Sequence, residues 1–257
     1  MLFFQIVQVI AVALVGGLFA EDITIRTYST RIKVKETIGT GNVFESELEH
    51  FADISLYYVY VAVPLVTATH YAFTLYFWEG TPLKWYHFQN AVTKGYYPVR
   101  WIEYSISASI MTFALGLLCG LTDIAVLAQL VSVNVAIQLF GLASEAVAAK
   151  TNKKGTILGK YELFLYGALV FDLSWFSSIF YSFVKHASEA PDFVVVLVIG
   201  ITLLYASFPF VHWKYLRGWT FAKADRAYDT LSVTSKLFLD WVIVGGLIGW
   251  SRGENNE

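Results

Sequence analysis

Charge is scarce in this chain. Only 15% of its 257 residues are Asp, Glu, Lys or Arg, where a soluble domain carries about 25%. The net charge of −2 gives no basic surface of the kind that nucleic-acid binding needs. Cysteine is almost absent. Cys119 stands alone, which excludes an intramolecular disulfide and any cysteine-based metal site; no metal is expected. Proline is limited to five residues and no low-complexity tract occurs. With no linker in view, 1–257 reads as a single domain.

What is abundant is apolar. Hydrophobic residues make up 56% of the chain, aromatics 17%, and the mean hydropathy is +0.55. A bilayer core requires about 20 mostly apolar residues per helix. Seven stretches qualify: Leu2–Ala20, Ile54–Phe77, Trp101–Leu121, Ile124–Leu142, Leu163–Val184, Phe193–Val211 and Ala227–Trp250. The expected fold is an all-α membrane protein, a seven-transmembrane helix bundle. Residues 17–20, GLFA, look like a cleavage site, but no basic residue precedes the apolar run. The first stretch is therefore read as a retained helix.

Basic residues set the expected orientation. Loops on the N-terminal side carry Lys84, Lys94, Arg100, Lys150, Lys153, Lys154, Lys160, Lys214, Arg217, Lys223 and Arg226. The other side has Arg26, Arg31, Lys33, Lys35, Lys185 and Arg252. This places the N-terminus in the cytoplasm and the C-terminus outside. The long first outer loop, 21–51, contains DITIRTYSTRIKVKE, which alternates apolar and polar residues on both sides of Tyr28–Ser29–Thr30. That is the two-residue period of a β-hairpin about this centre, which could cap the outer face or pair with another subunit; a solvated loop with some strand content fits the same alternation.

One basic residue of eighteen belongs to no loop. Lys236 lies inside LSVTSKLFLD (231–240), where an ammonium group at a bilayer centre costs about 2.5–3.5 kcal/mol. Asp229, Ser232, Lys236 and Asp240 are spaced by three, four and four residues, so they share one helix face, and that face must point into the bundle. A Lys236–Asp240 ion pair is the simple structural reading. The chemical reading is a buried amine that forms a Schiff base with an aldehyde, which a seven-helix bundle can hold when the aldehyde is retinal.

Three segments carry a family resemblance: PVRWIEYSISASIM (98–111), CGLTDIAVLAQLVSVNVAIQLFG (119–141) and RAYDTLSVTSK (226–236). They resemble the third, fourth and seventh helices of heliorhodopsins, and the likeness runs in order through helices two to seven. Other microbial rhodopsins typically have Asp where this chain has Ser232. The resemblance implies all-trans retinal on Lys236 as a covalent, protonated Schiff base, Glu103 as its counterion, and no enzymatic activity. It implies a polar cavity near the Schiff base built from His70, Ser232, Asn134 and Gln138, and a retinal pocket that includes Met111, Trp175 and Phe208. It also implies a homodimer in the lipid bilayer; a signalling partner is not identified by the sequence.

Heliorhodopsins typically do not transport ions. Here Asp229, Asp240 and Asp172 stand at positions that the family usually fills with apolar residues, Gln5 replaces a helix-one histidine, and Glu189 lies at the outer end between helices five and six. Intramembrane acids are functional candidates. Asp229, Asp240, Asp172 and Glu189 are therefore expected to form a path for light-gated or light-driven proton movement. The alternative is a non-transporting photosensor that signals by conformational change.

Overall fold

The computed structural model describes residues 2–19, 24–35, 43–76, 93–150, 157–188 and 190–254. Seven helices form the body: α1 (Leu2–Phe19), α2 (Leu56–Tyr76), α3 (Pro98–Leu118), α4 (Ile124–Lys150), α5, α6 (Asp192–Leu216) and α7 (Phe221–Glu254). α5 runs through Ile157–Ser174, a π-helical stretch Trp175–Phe180, and Tyr181–His186. Among the described residues, five helices are long and apolar enough to cross a membrane, on α3, α4, α5, α6 and α7. α1 offers a shorter apolar stretch, Gln5–Val15. α2 does not reach the same apolarity because Tyr57, Tyr58, Tyr60, Thr67, Thr69, His70 and Tyr71 interrupt its aliphatic residues.

Local sequence explains the ends. Pro98 opens α3, where its missing N–H is not needed. α3 stops at Cys119, and Gly120 takes φ +85°, a left-handed conformation open to glycine. Asp123 then caps α4: its Oδ1 accepts from the backbone N–H groups of Ala125 and Val126 at 2.8 and 3.2 Å.

The hairpin exists, but not as the alternation suggested. β1 (Thr24–Lys35) is one unbroken strand with Tyr28–Ser29–Thr30 at its middle, and it pairs antiparallel with β2 (Val43–Ser55). Tyr, Ser and Thr suit an extended strand and none supplies the positive φ of a tight turn. The residues between the strands include Gly39, Gly41 and Asn42 and lie outside the described residues. A register shift between Thr27 and Tyr28 marks a bulge.

That bulge lies where the hairpin meets the bundle. Tyr28 N donates to Thr122 O at 2.8 Å, and Thr30 Oγ1 donates to Asp123 Oδ2 at 2.6 Å. Ile25 and Ile54, opposite each other in the ladder, pack on Leu56, Leu117 and Leu127. The hairpin thus marks one end of the bundle. Toward it the core is mainly aliphatic, with Val63, Leu115, Leu197, Ile201, Leu239 and Ile243. Toward the other end it turns aromatic, with Tyr97, Tyr104, Tyr215, Phe221 and Tyr228.

Candidate functional site

Lys236 lies on the inward face of α7 and is 2% exposed. Its Nζ donates to Glu103 Oε1 at 2.6 Å and to Ser232 Oγ at 2.8 Å. Glu103 comes from α3 and is also buried. The same Oε1 accepts from Thr67 Oγ1 on α2 at 2.9 Å. The Tyr104 ring centre lies 5.7 Å from the amine. An i, i+4 pair between Lys236 and Asp240 is therefore not what forms. The lysine turns to α3, and each charge compensates the other in a place where neither could stand alone.

A cavity opens beside this pair between α3, α4, α5, α6 and α7. It encloses about 860 Å³ of space not filled by atoms, its mouth included. Its walls are mostly apolar or aromatic: Tyr104, Met111, Phe164, Phe171, Tyr205 and Phe208 contribute, with Lys236 and Ser232 on one side. This composition suits a long apolar ligand that ends in a group reactive toward an amine. Lys236 supplies the amine, Glu103 the matching charge.

The sequence candidates fall into distinct places. Met111 and Phe208 line the cavity. Trp175 does not: it stacks on Phe171, with ring centres 5.4 Å apart, and donates from Nε1 to Thr202 Oγ1. It supports the wall from behind, and Phe171 and Tyr205 take the position expected of it. The π-helical stretch that begins at Trp175 shifts the side-chain phase that a regular helix would give. Asn134 and Gln138 line the cavity from α4, and Asn134 Nδ2 donates to Ser109 Oγ at 3.0 Å. The polar group around Glu103 includes Lys236, Ser232 and Thr67, and His70 on α2 is close enough for its charge to act on Glu103 and Lys236. His70 is half-buried on α2 with its ring edge-on to Tyr71, centres 5.4 Å apart.

Among the acids, Asp240 is 0% exposed and its Oδ2 accepts from Gln8 Nε2 at 2.6 Å. Asp229 is half-buried and accepts from Tyr71 Oη at 3.3 Å. Asp172 is exposed on α5. It sits between exposed Phe-and-Leu positions of the outer helix face, so it does not join an interior path. Glu189 lies outside the described residues.

A second polar cluster is not visible from spacing. Arg100 on α3 is paired with Glu145 on α4, Nη2 to Oε1 at 2.6 Å, and with Asp225 on α7. All three are buried. Trp101 Nε1 also donates to Glu145, and the Tyr228 ring centre lies 4.5 Å from the guanidinium carbon. Next to it, His212 on α6 spans two partners. Ser144 Oγ donates to the Lys160 carbonyl, so it accepts from His212 Nε2 at 3.0 Å. In the neutral ring, His212 Nδ1 then accepts from Tyr228 Oη at 2.7 Å. Arg100 and Lys160, both counted as loop residues, are buried. Glu145 escaped notice because α4 continues two turns past Leu142, and Asp225 because α7 begins before Ala227. Asp225 does, however, extend the Asp229–Ser232–Lys236–Asp240 spacing by one further step of four.

Comparison with known proteins agrees with this architecture. The heliorhodopsin family model matches residues 1–248. No curated protein matches in sequence. Similar solved structures include the Exiguobacterium sibiricum rhodopsin, with a TM-score of 0.58 and 18% identity over 76% of this chain and 83% of that one. The thermophilic rhodopsin of Rubrobacter xylanophilus has a TM-score of 0.54 and 16% identity over 75% and 82%. The light-driven proton pump of Leptosphaeria maculans has a TM-score of 0.55 and 16% identity over 74% and 81%. At these identities the likeness is one of fold. With a family match across nearly its whole length, this chain belongs to the heliorhodopsin family, as an integral membrane protein that binds retinal and responds to light.

Proposed function

We propose that Lys236 holds all-trans retinal covalently as a protonated Schiff base, that Glu103 is its counterion, and that light absorption moves protons through the bundle. The observation that carries this reading is the buried Lys236 amine, 2.6 Å from a buried carboxylate, at the edge of an aromatic-walled cavity. Retinal supplies light absorption and a change of shape when bound. The remaining work belongs to the protein. Glu103 keeps the charge at Lys236 compensated, while Ser232 and Thr67 fix the positions of the two partners by hydrogen bonds. Tyr104, Phe171, Tyr205 and Phe208 exclude water from the apolar side.

The proton-movement part rests on α7. Asp229 lies two turns from Lys236 on one side and Asp240 one turn away on the other, both on the inward stripe. In the proposed orientation, with the N-terminus cytoplasmic, Asp229 is on the inner side and Asp240 on the outer. A specific observation favours the second reading, a photosensor without transport. The Arg100–Glu145–Asp225 cluster fixes the charges of the inner half, and a closed ion network there opposes conduction.

Photocurrent recorded under voltage clamp from cells that express the full chain separates the two. Transport predicts a light-dependent current that changes in Asp240→Asn and Asp229→Asn and disappears in Lys236→Ala. Absence of current at every voltage and pH gradient contradicts transport and leaves the photosensor.

A further inference from the structure

The face of α1 that meets α7 carries two glutamines. Gln5 is 0% exposed and Gln8 3%, opposite an Asp240 that is 0% exposed. Gln8 Nε2 donates to Asp240 Oδ2 at 2.6 Å. Four neighbouring polar atoms have no hydrogen-bond partner among the described residues: Gln8 Oε1, Asp240 Oδ1, and both Oε1 and Nε2 of Gln5. A buried polar atom left unpaired costs about 1–3 kcal/mol. The two that flank the Gln8–Asp240 bond are an acceptor oxygen on each partner, which is what remains when a carboxyl group is written without its proton.

The surrounding charges point the same way. α7 packs on α6, α1 and α2. α1 and α2 contain no Asp, Glu, Lys or Arg. α6 has Asp192 in its first turn and Lys214 in its last, and its His212 is engaged by Tyr228 and Ser144. On α2, His70 is half-buried beside Tyr71. On α3, Glu103 is bound to Lys236. On α7 itself, Lys236 is one turn from Asp240 and is neutralised by that same Glu103. An ionised Asp240 would be an interior anion with no cation of its own, which a buried carboxyl group avoids by keeping its proton.

We propose that Asp240 carries a proton at rest and forms a two-bond acid–amide pair with Gln8. The Gln8 amide N–H donates to the acid carbonyl Oδ2, and Asp240 Oδ1–H donates to Gln8 Oε1. A single proton thereby satisfies both orphaned oxygens. Gln5, three residues earlier on the same face of α1, leaves a further donor and acceptor as the next polar group beside the pair. A carboxyl group that already holds a proton cannot accept one from Lys236. While the pair with Gln8 is closed, Asp240 is thus no acceptor for a proton of Lys236. The protonation state stands on the Gln8–Asp240 geometry and on the lack of a cation for Asp240; its place on a proton path rests on the proton-movement reading above.

The test is infrared spectroscopy of the full-length protein in lipid, in the dark and at mildly alkaline pH, with and without retinal. The expected spectrum has a carboxylic-acid C=O band that moves down on deuteration and is lost in Asp240→Asn. In Gln8→Leu the band moves to higher frequency, because the acid loses its partner. A wild-type spectrum without an acid band sensitive to Asp240→Asn, or with a carboxylate band in its place that responds to added Na⁺, overturns the assignment. If Asp240→Asn does not fold, an acid band that stays put in Gln8→Leu overturns it as well. Failure to form a pigment with retinal contradicts the proposed function and leaves this dark measurement intact.

Discussion

Arg100 and Asp240 are both buried ionisable residues on inward helix faces, and their surroundings differ in kind. Arg100 meets two carboxylates and the face of Tyr228, next to a histidine held at both nitrogens. Asp240 meets one amide, and three glutamine atoms and one of its own oxygens stay unpaired. In the half away from the hairpin the ions are paired, with only Arg100 Nε left without a hydrogen-bond partner among the described residues, so its charges fix how α3, α4 and α7 pack. The half toward the hairpin is under-paired, so its polar groups have protons or bonds left to exchange. Lys236 and Glu103 sit between the two. The Lys236 amine thus has a half with paired ions on one side and a half with unpaired polar atoms on the other, and the proposed movement of protons would run between the two.

The contrast can be broken most severely at Arg100. Arg100→Leu leaves Glu145 and Asp225 buried without a cation, at a cost of about 3–5 kcal/mol; thermal loss of the pigment measures it. Gly141→Ala is next. A methyl group there collides with the Trp101 ring, which binds Glu145 and lines the cavity. Overpacking of this kind costs about 1–3 kcal/mol, and the same variant should shift the absorption band. Ser144→Ala strands the His212 Nε2–H and should cost about 1–3 kcal/mol in the same thermal assay.

The smallest effect lies at the hairpin contact. The Thr30 hydroxyl and the backbone N–H groups of Ala125 and Val126 hold the Asp123 carboxyl below its ordinary value of 3.8. A lowered folded value means that the stabilisation is complete above pH 3.8 and is lost as pH falls below it. Asp123→Ala removes an N-cap worth about 0.5–2 kcal/mol and should abolish that acid-side loss. Proteolysis of the hairpin as a function of pH reads both.

Apolar length alone located the helices, and a lone lysine on an inward stripe located the site. Both signals are local and physical. Partners were less legible, because an ion pair between helices leaves no spacing in the sequence. Glu103 was assigned by resemblance, and its contact with Lys236 is a three-dimensional fact. Glu145 and Asp225 lay beyond the ends of the apolar stretches, where charged residues read as loop. Asp172 shows the opposite failure. Its position within an apolar stretch suggested the interior, but a helix has an outward face too, and Asp172 is on it. The hairpin was legible in the alternation, and its turn was not: alternation continues through Tyr28–Ser29–Thr30 without a residue that could turn the chain.

Borohydride reduction of the retinal-treated protein, followed by mass spectrometry of its peptides, shows directly whether Lys236 is the attachment point for retinal. A single retinyl adduct is expected on the peptide that contains Lys236, absent in Lys236→Ala. An adduct on another lysine, or none on a protein that absorbs visible light, would contradict it.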